Sequence, residues 1–205
     1  MRTLDLALLD DGPATRERLA AELDSAVRES GAVRLANHGL DTELIELSQV
    51  FGRRWLAHLE LRELLEEHRS AMLGISQRML GLAGIALGRG PSHFVDRHTG
   101  APRVELTVES ALHPGPVSTR GLLSLRQDVS GEVVASVGAQ LARVSRGAYP
   151  VLDLRDAWPT RSALRLDVAS STQGVPGRAE RPPRGEVSAH VDMTRIQYAA
   201  HQPTP

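Results

Sequence analysis

One long run of evenly spaced apolar residues places the strongest constraint on what this chain can fold into. From Leu61 onward the run advances by alternating steps of four and three residues, which is the spacing of one face of an α-helix. A helix with such a seam cannot bury it alone, so it has to pack against a sheet or another helix. Gly88 to Pro91 is expected to end this helix. The positions of the seam are Leu65, His68, Met72, Ile75, Met79, Leu82 and Ala86.

Shorter apolar segments predict a mixture of strands and helices along the rest of the chain. Gly31 is suited to the end of a helix, and the turn at 37–39 is expected to lead into another helix capped by Asp41. The glycines between 81 and 90 favour close helix packing over a nucleotide-binding loop, because they follow no strand. Strands are predicted at 4–9, 32–36, 104–108, 164–168 and 186–200, and further helices at 14–30, after Asp41 and at 129–144.

Composition excludes several classes of function. With 205 residues and 41% hydrophobic content the chain is long enough for one sizeable domain. A formal charge of -1 gives no electrostatic reason to expect nucleic acid as a partner. Cysteine is absent, so a metal would have to be bound by His, Asp or Glu. The acidic N-terminus is unlike a signal peptide and no apolar stretch is long enough for a bilayer, so we expect a cytoplasmic protein without a membrane partner.

His190-Val191-Asp192 is the motif with the clearest chemical meaning. A His and a carboxylate two residues apart on a strand project from the same face. With a distant second His they form the triad that holds Fe(II) and leaves positions open for oxygen and a cosubstrate. Chance alone gives about 0.4 such triplets in a chain of this composition. The sequence around the motif therefore has to support the interpretation.

Two segments resemble the isopenicillin N synthase-like family of iron(II)- and 2-oxoglutarate-dependent oxygenases. The first covers residues 1–50, where the apolar start Leu4-Asp5-Leu6 and a helix precede the Glu29-to-Leu40 segment with a Gly, an apolar strand and Asn-His-Gly. Leu80 to Asp96 resembles the end of the family's next long helix and the loop after it. The second is Leu164-Arg165-Leu166, followed by a polar loop and His190 to Ile196, with a spacing nearest to the cephalosporin ring-expanding members. Together the matching segments cover roughly half of the chain.

The resemblance implies an α+β fold in which helices pack on a partial double-stranded β-helix (jelly-roll) sheet. It also implies Fe(II) and 2-oxoglutarate as cofactors and oxidation of a small molecule, as in antibiotic biosynthesis and other secondary metabolism. His190 and Asp192 would be metal ligands. Arg165 would bind a substrate carboxylate, although a surface arginine paired with Asp167 is an equal alternative. His201 is expected to lie in a solvent-exposed tail instead of completing the metal site.

Departures from the family pattern qualify these expectations. The family's distal His and Arg-x-Ser belong many tens of residues after His-x-Asp, and only 193–205 follow here. We therefore expect a truncated or degenerate oxygenase core that, as given, does not couple oxygen consumption to 2-oxoglutarate decarboxylation. Its predicted parts are an N-terminal helix-rich region at 1–96, a connecting segment at 97–163 and partial jelly-roll strands at 164–205.

Two further expectations concern partners. The missing sheet neighbours would leave the C-terminal strand at 186–200 open to self-association. The competing prediction is a non-catalytic, mainly helical interaction protein that presents its seam to a partner. The sequence does not identify the substrate, the third metal ligand or the oligomeric state.

Overall fold

The structure is a computed structural model that describes residues 1–46, 59–94, 103–109, 121–150, 163–169 and 190–191. The backbone alone is described for 59–62, 103–109, 163–164, 169 and 190–191. Asp192, His201, most of the predicted strand at 186–200 and much of the helix predicted after Asp41 lie outside the described residues.

A seven-stranded mixed sheet is the centre of the molecule, and its strands are ordered β1-β2-β5-β4-β6-β3-β7. β1 and β2 are parallel, and all other pairs are antiparallel. The strands are β1 (Thr3–Asp5), β2 (Ala32–Ala36), β3 (Arg103–Glu109), β4 (Leu123–Asp128), β5 (Val133–Val137), β6 (Ala163–Ala169) and β7 (His190–Val191). The helices are α1 (Pro13–Ser30), α2 (Leu59–Ala86) and α3 (Ala139–Val144). The α+β prediction is thereby confirmed, and the mainly helical alternative is wrong about architecture.

The N-terminal unit forms largely as its sequence predicts. α1 begins at Pro13, whose missing N–H costs nothing in a first helical turn. It ends at Gly31, which adopts the left-handed conformation at φ 71°. The strand predicted at 4–9 is only half correct, because Leu6–Asp10 is a 3-10 helix in which Ala7 N–H donates to Asp5 Oδ1 at 3.0 Å.

The long apolar seam is buried as predicted. α2 packs against α1 and against β4 and β6, and seam residues from Leu65 to Leu82 are at most 7% exposed. Gly84 allows the following loop to fold back closely, since a Cβ there would lie 2.2 Å from the carbonyl oxygen of Gly90. This confirms close packing as the role of Gly84, whereas Gly88 and Gly90 have open space around the Cβ position and adopt left-handed φ angles of 65° and 84°. In the described parts of the chain, no helix is both long and apolar enough to cross a membrane.

The helix predicted at 129–144 is wrong. β4 and β5 form a hairpin there, and only α3 at its end is helical. Asp128 closes the hairpin, because its Oδ1 accepts hydrogen bonds from the N–H groups of Ser130 and Glu132. Both strands are buried along their whole length. A strand buried on both faces reads as a continuous apolar run, and its valines then match helical spacing by accident.

The two faces of the sheet have different compositions. On one face, apolar residues such as Leu125, Val133 and Leu166 join the helices in a single core. The opposite face, here called the polar face, carries the alternate residues of the same strands. The sheet takes strands from all three predicted regions, and their division at 96 and 163 stays a prediction. Ala32 and Val134 are apolar residues on this face, and its polar positions include Arg34, Ser124, Arg126, Asp128, Ser136, Arg165 and Asp167, with Glu105, Thr107 and His190 defined by backbone register.

Candidate functional site

Strand register aligns four polar-face positions in one line across the sheet. Arg126 on β4 lies opposite Arg165 on β6, and Arg165 lies opposite Thr107 on β3. Thr107 in turn lies opposite His190 on β7. Directly opposed residues of antiparallel strands share a face and have Cβ atoms about 5 Å apart. This line, called the arginine row, therefore connects Arg165 with the His of His-x-Asp.

Arg165 is one of the most deeply buried residues of the protein. It is 1% exposed, and its Nε donates a hydrogen bond of 3.0 Å to Asp167 Oδ2. One of the two alternatives from the sequence predicted this pairing with Asp167. That alternative is wrong, however, in placing the arginine at the surface. A guanidinium whose plane is fixed by a neighbouring carboxylate is oriented to bind a second anion.

Further polar groups are buried beside the arginine row. Ser124, two residues before Arg126 on β4, lies opposite Asp167 and is 2% exposed. Its hydroxyl has no hydrogen-bond partner among the described residues. Its carbonyl oxygen is 3.5 Å from the donating hydroxyl of Ser136. Buried polar groups cost free energy unless they are satisfied, so their concentration on one face indicates a site.

One of the two proposed metal ligands, His190, lies at the β7 end of the arginine row. His190 is placed there by backbone register, while Asp192 lies outside the described residues. Within the described residues, no group of three His, Asp or Glu side chains is arranged to hold a metal ion. An imidazole nitrogen and a carboxylate oxygen are nevertheless a donor set that suits Fe(II). His190 is therefore of a residue type that suits such a metal.

The other histidine motif, at 37–39, has a structural role, as its sequence predicts. Leu40 N–H donates to His38 Nδ1 at 3.1 Å, so Nε2 carries the proton. His38 Nε2 lies 3.1 Å from the carbonyl oxygen of Gly131, which ties the turn to the hairpin. Asp41 Oδ1 accepts from Glu43 N–H at 2.9 Å and caps the next helical turn, as expected.

His68 is a buried titratable group on the helix side of the sheet. It is 7% exposed, and burial lowers the pKa of its imidazole below the usual 6.5, while Gln127 and Asp41 only partly oppose this shift. His68 Nε2 and Gln127 Oε1 have no hydrogen-bond partner at normal distance in the part of the chain that the structure describes. Gln127 Nε2 donates to the carbonyl oxygen of Asp41 at 2.9 Å. These residues join α2 to β4 and face away from the arginine row.

Arg126 is the site residue that the sequence analysis missed. It lies in a segment to which no strand was assigned, although Leu123 and Leu125 alternate with Ser124 and Arg126. That alternation of period two was the available signal for a strand with one polar face.

Comparisons with known proteins agree on the fold. No protein-family model and no curated protein sequence matches the chain. A full-length Neurospora crassa protein, solved with alpha-KG and thymine, is similar at a TM-score of 0.64 and 11% identity, covering 98% of this chain and 96% of that one. JOX2, solved with 2OG, Fe and JA, has a TM-score of 0.59 and 13% identity, covering 84% of this chain and 76% of JOX2.

A third similar structure is the Arabidopsis thaliana dioxygenase for auxin oxidation 1 with 2-oxoglutarate. Its TM-score is 0.55 at 11% identity, covering 82% of this chain and 92% of that one. Identities this low establish a shared fold and leave the reaction open. The chain therefore has the fold of the iron(II)- and 2-oxoglutarate-dependent oxygenases.

Proposed function

We propose that this chain is an iron(II)- and 2-oxoglutarate-dependent oxygenase-like protein that acts on a small molecule. The observation that carries the proposal is the arginine row, because it brings Arg165 and His190 to one polar face inside an oxygenase fold. Polar groups that converge in a buried region of a sheet are the usual setting of a small-molecule site.

His190 and Asp192 are the residues that would hold the iron. When bound, iron and 2-oxoglutarate supply an oxidant derived from dioxygen. The contribution of the chain itself is to bind and orient the organic substrate and to exclude water from it. The helices cover the opposite face of the sheet, so the polar face is the side available for this chemistry.

Arg165 is proposed to bind a carboxylate of the substrate. Its guanidinium is planar and can donate two parallel hydrogen bonds to a carboxylate. Asp167 holds the Nε edge and so limits rotation of the group. Because the Arg165 side chain is buried, the interaction would be stronger than the same contact in water.

Finer assignments extend the same proposal. The resemblance of 164–166 and 190–196 to the isopenicillin N synthase-like family, and to its ring-expanding members in particular, supports a role in secondary metabolism such as antibiotic biosynthesis. A cytoplasmic location is proposed with it. Self-association is proposed through β7, which ends the sheet and pairs only with β3 among the described strands.

Metal titration tests the ligand assignment. Calorimetry with Mn(II), an oxygen-insensitive stand-in for Fe(II), would be performed on the wild type, H190A and D192N, with H201A as the matched control. We expect H190A and D192N to weaken binding about ten-fold or more and H201A to bind as the wild type does. Equal affinities for the wild type, H190A and D192N would remove these residues from the metal site.

A turnover assay separates an active oxygenase from a binding protein with the same fold. Iron-loaded protein and 2-oxoglutarate would be assayed for succinate under air. Succinate formation that requires iron and is lost in D192N would establish activity and refute the sequence-based expectation that the chain is uncoupled. Metal binding without succinate formation would support a non-catalytic protein of this fold.

A further inference from the structure

A group of small and apolar side chains interrupts the polar face between β2 and β4. Ala32 on β2 lies opposite Ser136 on β5, and Ser136 lies opposite Ser124 on β4. Val134 is two residues before Ser136 on β5 and projects from the same face. These four residues, called the small patch, extend across three strands, or about 10 Å. The polar face therefore includes an uncharged area beside its arginines.

The small patch is buried, although it lies outside the helix-side core. Ala32 and Val134 are 0% and 2% exposed, yet neither belongs to the apolar cluster that the sheet forms with the helices. Ser124 and Ser136 are buried as well. Short side chains extend little above the backbone, so a flat group can approach the sheet closely here. A mainly apolar lining with a few polar atoms is also the usual composition of a small-molecule pocket.

The Ser124 hydroxyl is an independent indication that a ligand binds at the small patch. By strand register it projects from the same face as the rest of the patch. The Ser136 hydroxyl donates to the carbonyl oxygen of Ser124 at 3.5 Å. The Ser124 hydroxyl, in contrast, is buried and has no hydrogen-bond partner among the described residues. A buried hydroxyl is costly unless another polar group replaces its lost water, and a bound molecule would supply that group.

The residue opposite Ser124 indicates the charge of the group that binds there. Asp167 on β6 lies directly opposite Ser124, and its carboxylate accepts a hydrogen bond from Arg165 Nε. A carboxylate at this distance disfavours a second negative charge beside Ser124. A serine hydroxyl forms neutral hydrogen bonds both as donor and as acceptor. These features favour an uncharged oxygen over an anion at this position.

We propose that the small patch binds a flat apolar ring of the substrate, and that Ser124 forms a hydrogen bond with an uncharged carbonyl or hydroxyl oxygen on that ring. This inference rests on the proposed function, because it names the chemical class of the small molecule that binds on the polar face. The ring is a part of the substrate separate from the carboxylate assigned to Arg165. Ser124 determines specificity, since a ring without the oxygen leaves its buried hydroxyl unpaired.

Single-ring compounds that differ in one substituent test the inference in the absence of metal. Full-length protein in chelator-containing buffer would be titrated with phenol, toluene and benzoate, and binding would be measured by NMR. The variants are S124A and, as matched control, S70A. Ser70 is exposed on α2, and its hydroxyl donates to the carbonyl oxygen of Glu66. Each variant removes one hydroxyl, and S124A is expected to fold because the hydroxyl that it removes has no partner.

We expect the wild type to bind phenol more tightly than toluene or benzoate. S124A should weaken phenol binding about three- to ten-fold, which is the effect of one neutral hydrogen bond, and should leave toluene binding unchanged. S70A should bind all three compounds as the wild type does. Tighter binding of benzoate than of phenol would overturn the assignment of an uncharged group.

Hydrogen exchange on the wild type locates the binding site and keeps the inference testable if S124A does not fold. Saturating phenol is expected to slow amide exchange in β4 and β5. Failure of phenol to bind the folded wild type, equal phenol affinity in S124A and S70A, or unchanged exchange in both strands would overturn the site. Since no metal is present, these outcomes are distinct from a failure of His190 and Asp192 to bind Mn(II), which would overturn only the proposed function.

Discussion

Along β4 and β6 the two faces of the sheet are similarly buried but chemically different. Leu125 and Leu166 on the helix side are both fully buried, and Arg165 and Ser124 on the polar face are only 1% and 2% exposed. On the helix side burial removes apolar area from water and stabilises the fold. On the polar face the same degree of burial costs free energy. Buried polar groups of this kind are typical of sites that bind a ligand. Burial alone therefore does not define the core, and side-chain chemistry separates stability from function.

The largest expected effect comes from truncating the helix side. L125A should lower the free energy of unfolding by about 2 to 5 kcal/mol, because it removes buried methyl groups and leaves a cavity. Urea denaturation measures the loss, and L64A, at a leucine that is 45% exposed, should stay within about 0.5 kcal/mol of the wild type. A loss below about 1 kcal/mol in L125A would contradict the assignment of this face to the core.

A smaller loss is expected where α2 meets the loop that follows it. G84A should cost about 1 to 3 kcal/mol, since the new methyl group would collide with the carbonyl oxygen of Gly90. G74A is the matched control in the same helix, where the methyl group meets nothing within 4 Å and should stabilise by up to about 1 kcal/mol. Equal thermal midpoints for the two variants would show that the close approach does not exist.

His68, on the helix side of the sheet, should make the free energy of unfolding depend on pH. Burial lowers the pKa of His68 in the folded protein, so the unfolded chain binds the proton first as pH falls below about 6.5. Stability is then complete above that pH, falls below it, and levels off beneath the folded-state pKa. Thermal midpoints between about pH 5 and 8 should show this slope in the wild type and lose part of it in H68Q. An unchanged slope in H68Q would assign the effect to other groups.

The smallest effect on stability is expected at Ser124 on the polar face, the residue next to Leu125. S124A should change the free energy of unfolding by no more than about 0.5 kcal/mol, or raise it slightly, because it removes a buried hydroxyl that no described residue satisfies. Ser124 and Leu125 are neighbours on one strand, so the contrast between S124A and L125A measures the difference between the faces directly. A loss in S124A as large as that in L125A would remove the distinction.

The sequence predicted those elements whose two sides differ in polarity. α1 and α2 each bury one face, and Gly31 marks a helix end that requires a left-handed residue. β2 was also predicted, because it is a short apolar segment that follows this glycine. Local patterns of this kind are interpretable without tertiary information.

β5 and the position of Arg126 beside Arg165 were not predicted because their environment is created by the rest of the fold. β5 is buried on both faces, so Val133, Val134 and Val137 carry no signal that separates strand from helix. The position of Arg126 opposite Arg165 depends on a strand order in which β6 lies between β4 and β3. Register between segments distant in sequence is set by tertiary packing, and sequence periodicity does not contain it.

The β4–β5 hairpin also has a consequence for the order in which the protein folds. Its strands are adjacent in sequence, and such hairpins form within about 1 to 10 µs. The sheet continues from β4 through β6, β3 and β7, which are distant from one another in sequence. Pairing these strands requires closing long loops, and the chain loses entropy before the new contacts compensate for it. Arg126 is thus held in an early structure, while Arg165, Thr107 and His190 arrive with later strands. During synthesis on the ribosome, the arginine row can be completed only after residue 190 has emerged, so the nascent chain acquires its core before its site.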